Sequence, residues 1–190
     1  MAKAIQRRRR RTGPKPFRQG DLDGLCGVYS VVNAVRLLSP ELDTNGAEWL
    51  FDILMQTLDD AVAHPTASVA GGVGLRAVMR LLKEAIAEMA AEYDIVLKAR
   101  RLRVAVRRSK SICCVWGELT VVLSPTCVAI VGLYGRRSHW TVAMSASATR
   151  LRLFDSARMR SLRRGDCTVG KTSERVGLSV PSIVLIERQV

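Results

Sequence analysis

The strongest constraint on the fold is the order in which two kinds of hydrophobic pattern occur along the chain. Between residues 25 and 93, apolar residues recur at spacings of three and four, which is the period of an amphipathic α-helix. From residue 127 onward, short apolar runs are separated by turn-length gaps, as is typical of β-strands. Helical segments followed by strands predict an α+β domain in which helices pack on an antiparallel sheet.

Three segments carry the helical pattern. The first runs from Leu25 to Leu38 and ends before Ser39 and Pro40, so we expect Cys26 in its first turn. The second contains apolar positions from Trp49 to Leu58, with Asn45 as the candidate N-cap. The third contains apolar positions from Leu75 to Met89. The glycine-rich residues 70–74 before it lack the lysine of a phosphate-binding loop and predict a loop beside a cleft.

Four segments are predicted as strands, and two others stay open. The predicted strands are Cys127–Leu133, Trp140–Ser145, Arg150–Phe154 and Ile183–Glu187. Residues 94–106 alternate basic and apolar side chains, which indicates exposed strands or a loop. Residues 112–123 are too short and too uniformly apolar for periodicity to decide between helix and strand.

Positive charge is concentrated at the amino terminus of this 190-residue chain. The formal net charge is +13, and eight of the 30 basic residues, including Arg7–Arg11, precede Gly20 with no acid among them. We therefore expect residues 1–16 to form a disordered basic tail and residues 17–190 to form one domain. Arg7–Arg11 could bind nucleic acid, an anionic membrane surface or an acidic partner, or simply remain solvated. The oligomeric state is not indicated.

Cysteine usage and the amino terminus bear on compartment and cofactors. The five cysteines include no CxxC pair, so neither a disulfide framework nor a zinc site is expected, and Cys113, Cys114 and Cys127 are expected in the core. No apolar stretch follows the arginines, as a secretory signal would require, and no apolar run could span a bilayer. We expect a cytoplasmic protein without metal or organic cofactor.

Three residues in separate segments have the chemistry of a catalytic triad. His139 begins one predicted strand, and Asp155 follows the next. If these strands form an antiparallel hairpin, the imidazole and the carboxylate become neighbours. Cys26 at a helix start is a candidate nucleophile, because the positive end of the helix dipole favours a thiolate. Gln19, on the preceding loop, could direct its amide at an oxyanion. His64 is expected on the surface.

These motifs resemble the papain-like cysteine peptidases. The shared features are Gln19 ahead of Asp23-Gly24-Leu25-Cys26-Gly27, then His139-Trp140-Thr141-Val142, then Phe154-Asp155-Ser156. The order is most similar to the C39-like, bacteriocin-processing branch, while the segment ending at Cys26 also resembles the ovarian-tumour-type deubiquitinases. Gln19 stands seven positions before Cys26, one more than is usual for the family. The likeness covers residues 17–160 in layout.

The resemblance implies a fold and a reaction. It implies an amino-terminal helical lobe packed on a carboxy-terminal antiparallel sheet, with the cleft between them. By resemblance, Cys26 is the nucleophile, His139 the base and acid, Asp155 the orienting group and Gln19 the oxyanion residue. The expected function is hydrolysis of a peptide or isopeptide bond in a protein or peptide substrate, without metal or cofactor.

Two other functions stay open from the sequence. The same thiol chemistry could pass an acyl group to an amine, as a transglutaminase does. Alternatively, the papain-like domain could be an inactive scaffold that binds nucleic acid through Arg7–Arg11 and the bases between Lys98 and Lys110.

Overall fold

The computed structural model describes residues 15–19, 24–61, 72–104, 111–135, 138–170 and 175–189. The expectations for Arg7–Arg11, for His64, for Asp23 and for the bases between residues 105 and 110 lie outside the described residues. The architecture is α+β, as the sequence predicts.

Four helices occur in the described part of the chain. They are α1 (Cys26–Leu38), α2 (Thr44–Ala61), α3 (Leu75–Tyr93) and α4 (Ile112–Val122). The first three are the predicted helices, and Cys26 is the first residue of α1. The expected cap of α2 is wrong, because Asn45 lies inside the helix. Asp43 performs this role instead, and its carboxylate accepts a hydrogen bond from the Gly46 backbone N–H at 2.8 Å.

The described strands form one sheet of seven. They are β1 (Leu97–Arg101), β2 (Cys127–Gly135), β3 (His139–Ala146), β4 (Arg150–Phe154), β5 (Ser161–Arg163), β6 (Cys167–Val169) and β7 (Val176–Arg188). The order across the sheet is β1-β7-β2-β3-β4-β5, with β6 paired to β7. All pairs are antiparallel except β6–β7, which is parallel and departs from the expected all-antiparallel sheet.

The sheet is buried on both faces. On one face, α1, α2 and α3 pack against alternate residues such as Ile130 and Val142. On the other face, α4 packs against residues such as Val131 and Leu185. Burial on both faces explains why the central strand β2 is a continuous apolar run instead of an alternating pattern.

Several expectations about individual segments differ from the structure, beginning with the helix that covers the second face of the sheet. The open segment 112–123 is helix α4, and it lies between β1 and β2 in the chain, so helices do not all precede strands. Cys114 is partly exposed and Cys113 is exposed on α4, which corrects the expectation that both are core residues; Cys127 is buried. The segment 94–106 contains the edge strand β1. Strands β5 and β6 are additional to the predicted strands, and β7 begins seven residues earlier than expected.

Of the helices in the described ranges, none combines the length and the apolar character that crossing a membrane would need.

Candidate active site

The Cys26 thiol lies at the start of α1. As the first helical residue, its backbone N–H has no helix carbonyl four positions earlier to bind. The Sγ atom lies 3.9 Å from the Gly24 carbonyl oxygen and accepts a hydrogen bond from the Trp140 backbone N–H at 3.4 Å. The side chain is buried, yet it borders a cleft. The structure therefore joins the beginning of α1 directly to the beginning of β3.

His139 and Asp155 are in contact. Strands β3 and β4 form the expected antiparallel pair, with Val142 opposite Phe154. His139 Nε2 lies 2.7 Å from Asp155 Oδ1, and the second carboxylate oxygen accepts a hydrogen bond from the Met159 backbone N–H at 2.8 Å. The expectation that the two side chains are neighbours is confirmed.

The electrostatic environment favours a charged imidazole. Burial opposes protonation of His139, but the interactions with Asp155 and with the nearby Cys26 sulfur outweigh burial and raise the pKa of His139 to about 9. Burial would also raise the pKa of Asp155, but the hydrogen bond with His139 and the Met159 N–H hold it below its ordinary value. The Thr141 hydroxyl lies near this carboxylate without a hydrogen bond of normal geometry.

The exposure of these groups fits an acid–base site. The His139 side chain is 11% exposed and the Asp155 side chain is fully covered. A protonated His139 next to a carboxylate and a thiol forms a closely spaced set of three ionisable groups, at the edge of solvent. This is the kind of environment in which proton transfer to or from a bound molecule can occur.

A cleft of about 210 Å³ opens at the thiol. One wall is the glycine-rich segment before α3, and the other consists of β2 and the start of β3. The lining residues are Cys26, Gly72, Val73, Gly74, Leu75, Gly132, Leu133, Tyr134, Ser138, His139 and Trp140. The expected loop beside a cleft is therefore present over its described part, residues 72–74.

Trp140 holds the two walls together. Its indole N–H donates a 2.6 Å hydrogen bond to the Val73 carbonyl oxygen. Two glycines permit this close packing. A Cβ at Gly27 would lie 2.8 Å from the Val73 Cβ, and a Cβ at Gly132 would lie 3.1 Å from the Trp140 ring. The width of the cleft is thus fixed by close contacts between α1, β2 and the glycine-rich segment.

Gln19 lies beside the end of β4. Its backbone N–H donates to the Ser156 carbonyl oxygen at 3.3 Å, and its side-chain oxygen accepts from the Ser156 hydroxyl at 3.5 Å. The segment that carries it is held by the buried Asn33 of α1, which exchanges hydrogen bonds with the Phe17 backbone N–H and carbonyl at 2.8 and 3.2 Å. Gln19 is therefore hydrogen-bonded to Ser156, the residue that follows Asp155 in the chain.

Three of these positioning contacts are not among those that the sequence predicts. They are the hydrogen bonds from the Trp140 N–H to the Cys26 sulfur, from the Met159 N–H to Asp155, and between Asn33 and the Phe17 backbone. The backbone donors carry no sequence signal. Asn33 does carry one, because it is a polar residue within the buried stripe of α1.

No known family model matches the chain, and no curated protein matches its sequence. Among the described residues, no three His, Cys, Asp or Glu side chains cluster closely enough to hold a metal ion. The side chains of the site are therefore the basis on which a function is proposed.

Proposed function

We propose that the chain is a papain-like cysteine hydrolase that cleaves a peptide or isopeptide bond through Cys26, His139 and Asp155. The observation that carries the proposal is the 2.7 Å contact between His139 Nε2 and Asp155 Oδ1 beside a cleft that Cys26 lines. Because Asp155 occupies Nε2, the other ring nitrogen is available to the thiol. A carboxylate, an imidazole and a thiol in this relation are what nucleophilic catalysis requires.

Acylation uses the sulfur and the imidazole together. With the thiol proton held on His139, the Cys26 sulfur attacks the carbonyl carbon to form a tetrahedral oxyanion. The carbon–nitrogen bond then breaks as His139 returns its proton to the leaving amine, and a thioester remains on Cys26. Asp155 stabilises the imidazolium and fixes the orientation of its ring.

Deacylation repeats the sequence with water. His139 removes a proton from water, the hydroxide attacks the thioester carbon, and the sulfur leaves to regenerate the enzyme. The oxyanion of each step is stabilised by the backbone N–H of Cys26 at the helix start and by the side-chain amide of Gln19. Gln19 is hydrogen-bonded to Ser156 and is not among the described residues that line the cleft, so its oxyanion role is proposed from the resemblance.

The finer assignment follows from the order and position of the residues. The order Gln19, Cys26, His139, Asp155 is most similar to the C39-like branch, and a helical layer presents the thiol to a sheet that presents the imidazole. We also propose a reducing, cytoplasmic location for the reaction, because the five free thiols of the chain would persist there.

Competition between two thiols tests the proposal. Cys113 is exposed, whereas Cys26 is only 8% exposed. If accessibility alone decides reactivity, a peptide-linked thiol electrophile labels Cys113 first. If the site activates its thiol, Cys26 is labelled first and His139→Ala abolishes that preference while leaving Cys113 labelling unchanged. Mass spectrometry of the digested adduct measures both rates in one sample.

The products that the protein forms from a peptide library then distinguish hydrolysis from acyl transfer. Hydrolysis yields free carboxylates, and an added amine nucleophile reveals acyl transfer by the mass of its conjugate. Cys26→Ala should produce neither product, and Cys113→Ala should behave as the unaltered protein. Preferential labelling of Cys113, or cleavage that survives Cys26→Ala, contradicts the proposal.

A further inference from the structure

The hairpin of β4 and β5 presents a cluster of arginines at one edge of the sheet. Arg150 and Arg163 are directly opposite each other in the register, and Arg152 is opposite Ser161. Directly opposed residues of an antiparallel pair point to the same face, and so do residues two apart on one strand. Arg150, Arg152 and Arg163 therefore share one face of the hairpin.

The rest of the hairpin shows that this face is an outer surface. Leu151, Leu153 and Leu162 point to the opposite face, where they are buried in the core beneath α4. The side chains of Arg150, Arg152 and Arg163 are exposed, and Arg164, which follows β5 directly, is partly exposed. The arginine face is thus anchored from behind by a packed leucine row.

These arginines form no ion pair within the described part of the chain. None of the four forms an ion pair with a described residue, since the ion pairs there are His139–Asp155 and Arg188–Glu41. Like charges directly opposite each other on neighbouring strands destabilise a sheet unless something neutralises them. The opposition of Arg150 and Arg163 therefore marks a place where an external anion would be favourable.

The shape of the surface supports an anion of phosphate type. Arg150, Arg163 and Arg164 line a cavity of about 400 Å³, together with Thr149, Gly165 and one acid, Asp166. All six basic residues between positions 149 and 166 are arginine and none is lysine. Arginine presents a planar fork of donors that binds phosphate oxygens in pairs.

Among its described residues, the hairpin exposes no large apolar side chain, and this limits the class of partner that it could bind. The large apolar side chains exposed in the described residues are Val96 and Val121, and neither is on the hairpin. Protein interfaces and membrane insertion depend on apolar anchors, and single-stranded nucleic acid is bound by stacking on aromatic rings. A duplex backbone is bound through its phosphates by arginine-rich surfaces alone.

We propose that the exposed face of the β4–β5 hairpin, centred on Arg150, Arg163 and Arg164, binds the phosphate backbone of double-stranded nucleic acid without reading its sequence. The residues of this surface differ from those that line the cleft at Cys26, and the proposal requires no hydrolytic activity.

Two charge-matched variants of the full chain test this proposal. The hairpin variant carries Arg150→Gln, Arg163→Gln and Arg164→Gln. The control carries Lys98→Gln, Arg100→Gln and Arg101→Gln on the exposed edge strand β1. Both variants lose three positive charges and keep the tail. Fluorescence anisotropy measures their binding to a labelled duplex of arbitrary sequence between about 50 and 200 mM salt.

The expected result depends on where the replaced arginines lie and on how many phosphate contacts are lost. The hairpin variant should bind about tenfold more weakly, and its slope of log affinity against log salt should fall by about 2 to 3, because each lost phosphate contact removes about one. The control should keep the slope of the unaltered protein. Equal losses in both variants, or no loss in the hairpin variant, overturn the proposal.

Competitors identify the class of anion. Inorganic phosphate should raise the melting temperature of the unaltered protein and of the control more than that of the hairpin variant, at constant ionic strength. Hairpin-dependent binding that is as tight to polyglutamate, to phosphatidylserine vesicles or to a single strand overturns the assignment to a duplex. If the triple variant does not fold by circular dichroism, Arg163→Gln with Arg164→Gln replaces it, and a slope loss of about 2 is then expected.

Discussion

Replacing Asp155 with asparagine should lower the pKa of His139 from about 9 toward its ordinary value of 6.5. The neutral amide removes the carboxylate that holds the proton on the ring, while the burial that opposes protonation remains. The interval between about 9 and the ordinary value of 6.5 corresponds to about 3 kcal/mol, at about 1.4 kcal/mol per pH unit. This figure is a lower limit for the interaction that Asp155 and Cys26 together provide, because burial opposes it.

Nuclear magnetic resonance of the imidazole Cε1–H protons measures the change directly. The chain has two histidines, so His64→Gln assigns the resonances unambiguously. In the unaltered protein, one resonance should titrate near pH 9, and Asp155→Asn should move that titration down by about 1 to 2 pH units. A His139 that titrates near 6.5 in the unaltered protein, or identically in both proteins, refutes the reasoning.

The same pKa links stability and activity to pH. Because the pKa of folded His139 lies above its unfolded value, the stabilisation is fully present below pH 6.5 and is lost as pH rises through about 9. Urea unfolding across this range should show the decline, and His139→Gln should flatten it. Peptide hydrolysis should also decrease above about pH 9, where the ring no longer carries the proton for the leaving amine.

Three further predictions concern packing, positioning and the hairpin. In a urea titration, Gly27→Ala should destabilise the fold by about 1 to 3 kcal/mol, because its Cβ would overlap the glycine-rich segment. Gly117→Ala on α4 has open space around it and should instead stabilise the fold by about 0.5 to 1 kcal/mol. Asn33→Ala should cost about 1 to 3 kcal/mol, and it should lower kcat for peptide cleavage more than it lowers Cys26 labelling, because it releases the segment that carries Gln19; equal losses in both assays would argue against a role in positioning. Arg163→Glu should raise the melting temperature by pairing with Arg150, by about 0.2 to 1 kcal/mol in stability, while weakening duplex binding; a lower melting temperature would contradict the like-charge opposition.

Strong local patterns account for what the sequence predicts correctly. The helical periods of α1 and α3, and the run Arg150–Phe154, are each long or regular enough to identify their element. The hairpin of β3 and β4 follows from the short gap between them, and this pairing is enough to predict that His139 and Asp155 meet. That part of the site depends on local topology alone.

The remaining features depend on contacts between distant segments. Residues 112–123 become helix α4 because Val115, Trp116 and Leu119 share a face that covers the back of the sheet, and the Trp116 indole N–H donates to the Ser147 carbonyl at 2.7 Å. Strands β5 and β6 have three residues each, too few for a period to appear. The N–H groups that bond to Cys26 and Asp155 belong to the backbones of Trp140 and Met159. Because nearly every residue type has a backbone N–H, no sequence pattern predicts these hydrogen bonds.

The sulfur of Cys26 and the backbone of Trp140 are separated by 114 positions in the chain and meet only where α1 docks on β3. A growing polypeptide therefore exposes its thiol well before the imidazole and the carboxylate have been synthesised. Under the proposed mechanism, such an unfinished molecule holds its nucleophile without the base that would activate it. In a heated sample, the proposed hydrolysis should report the fraction of molecules in which α1 is still docked on β3, and its loss should coincide with global melting.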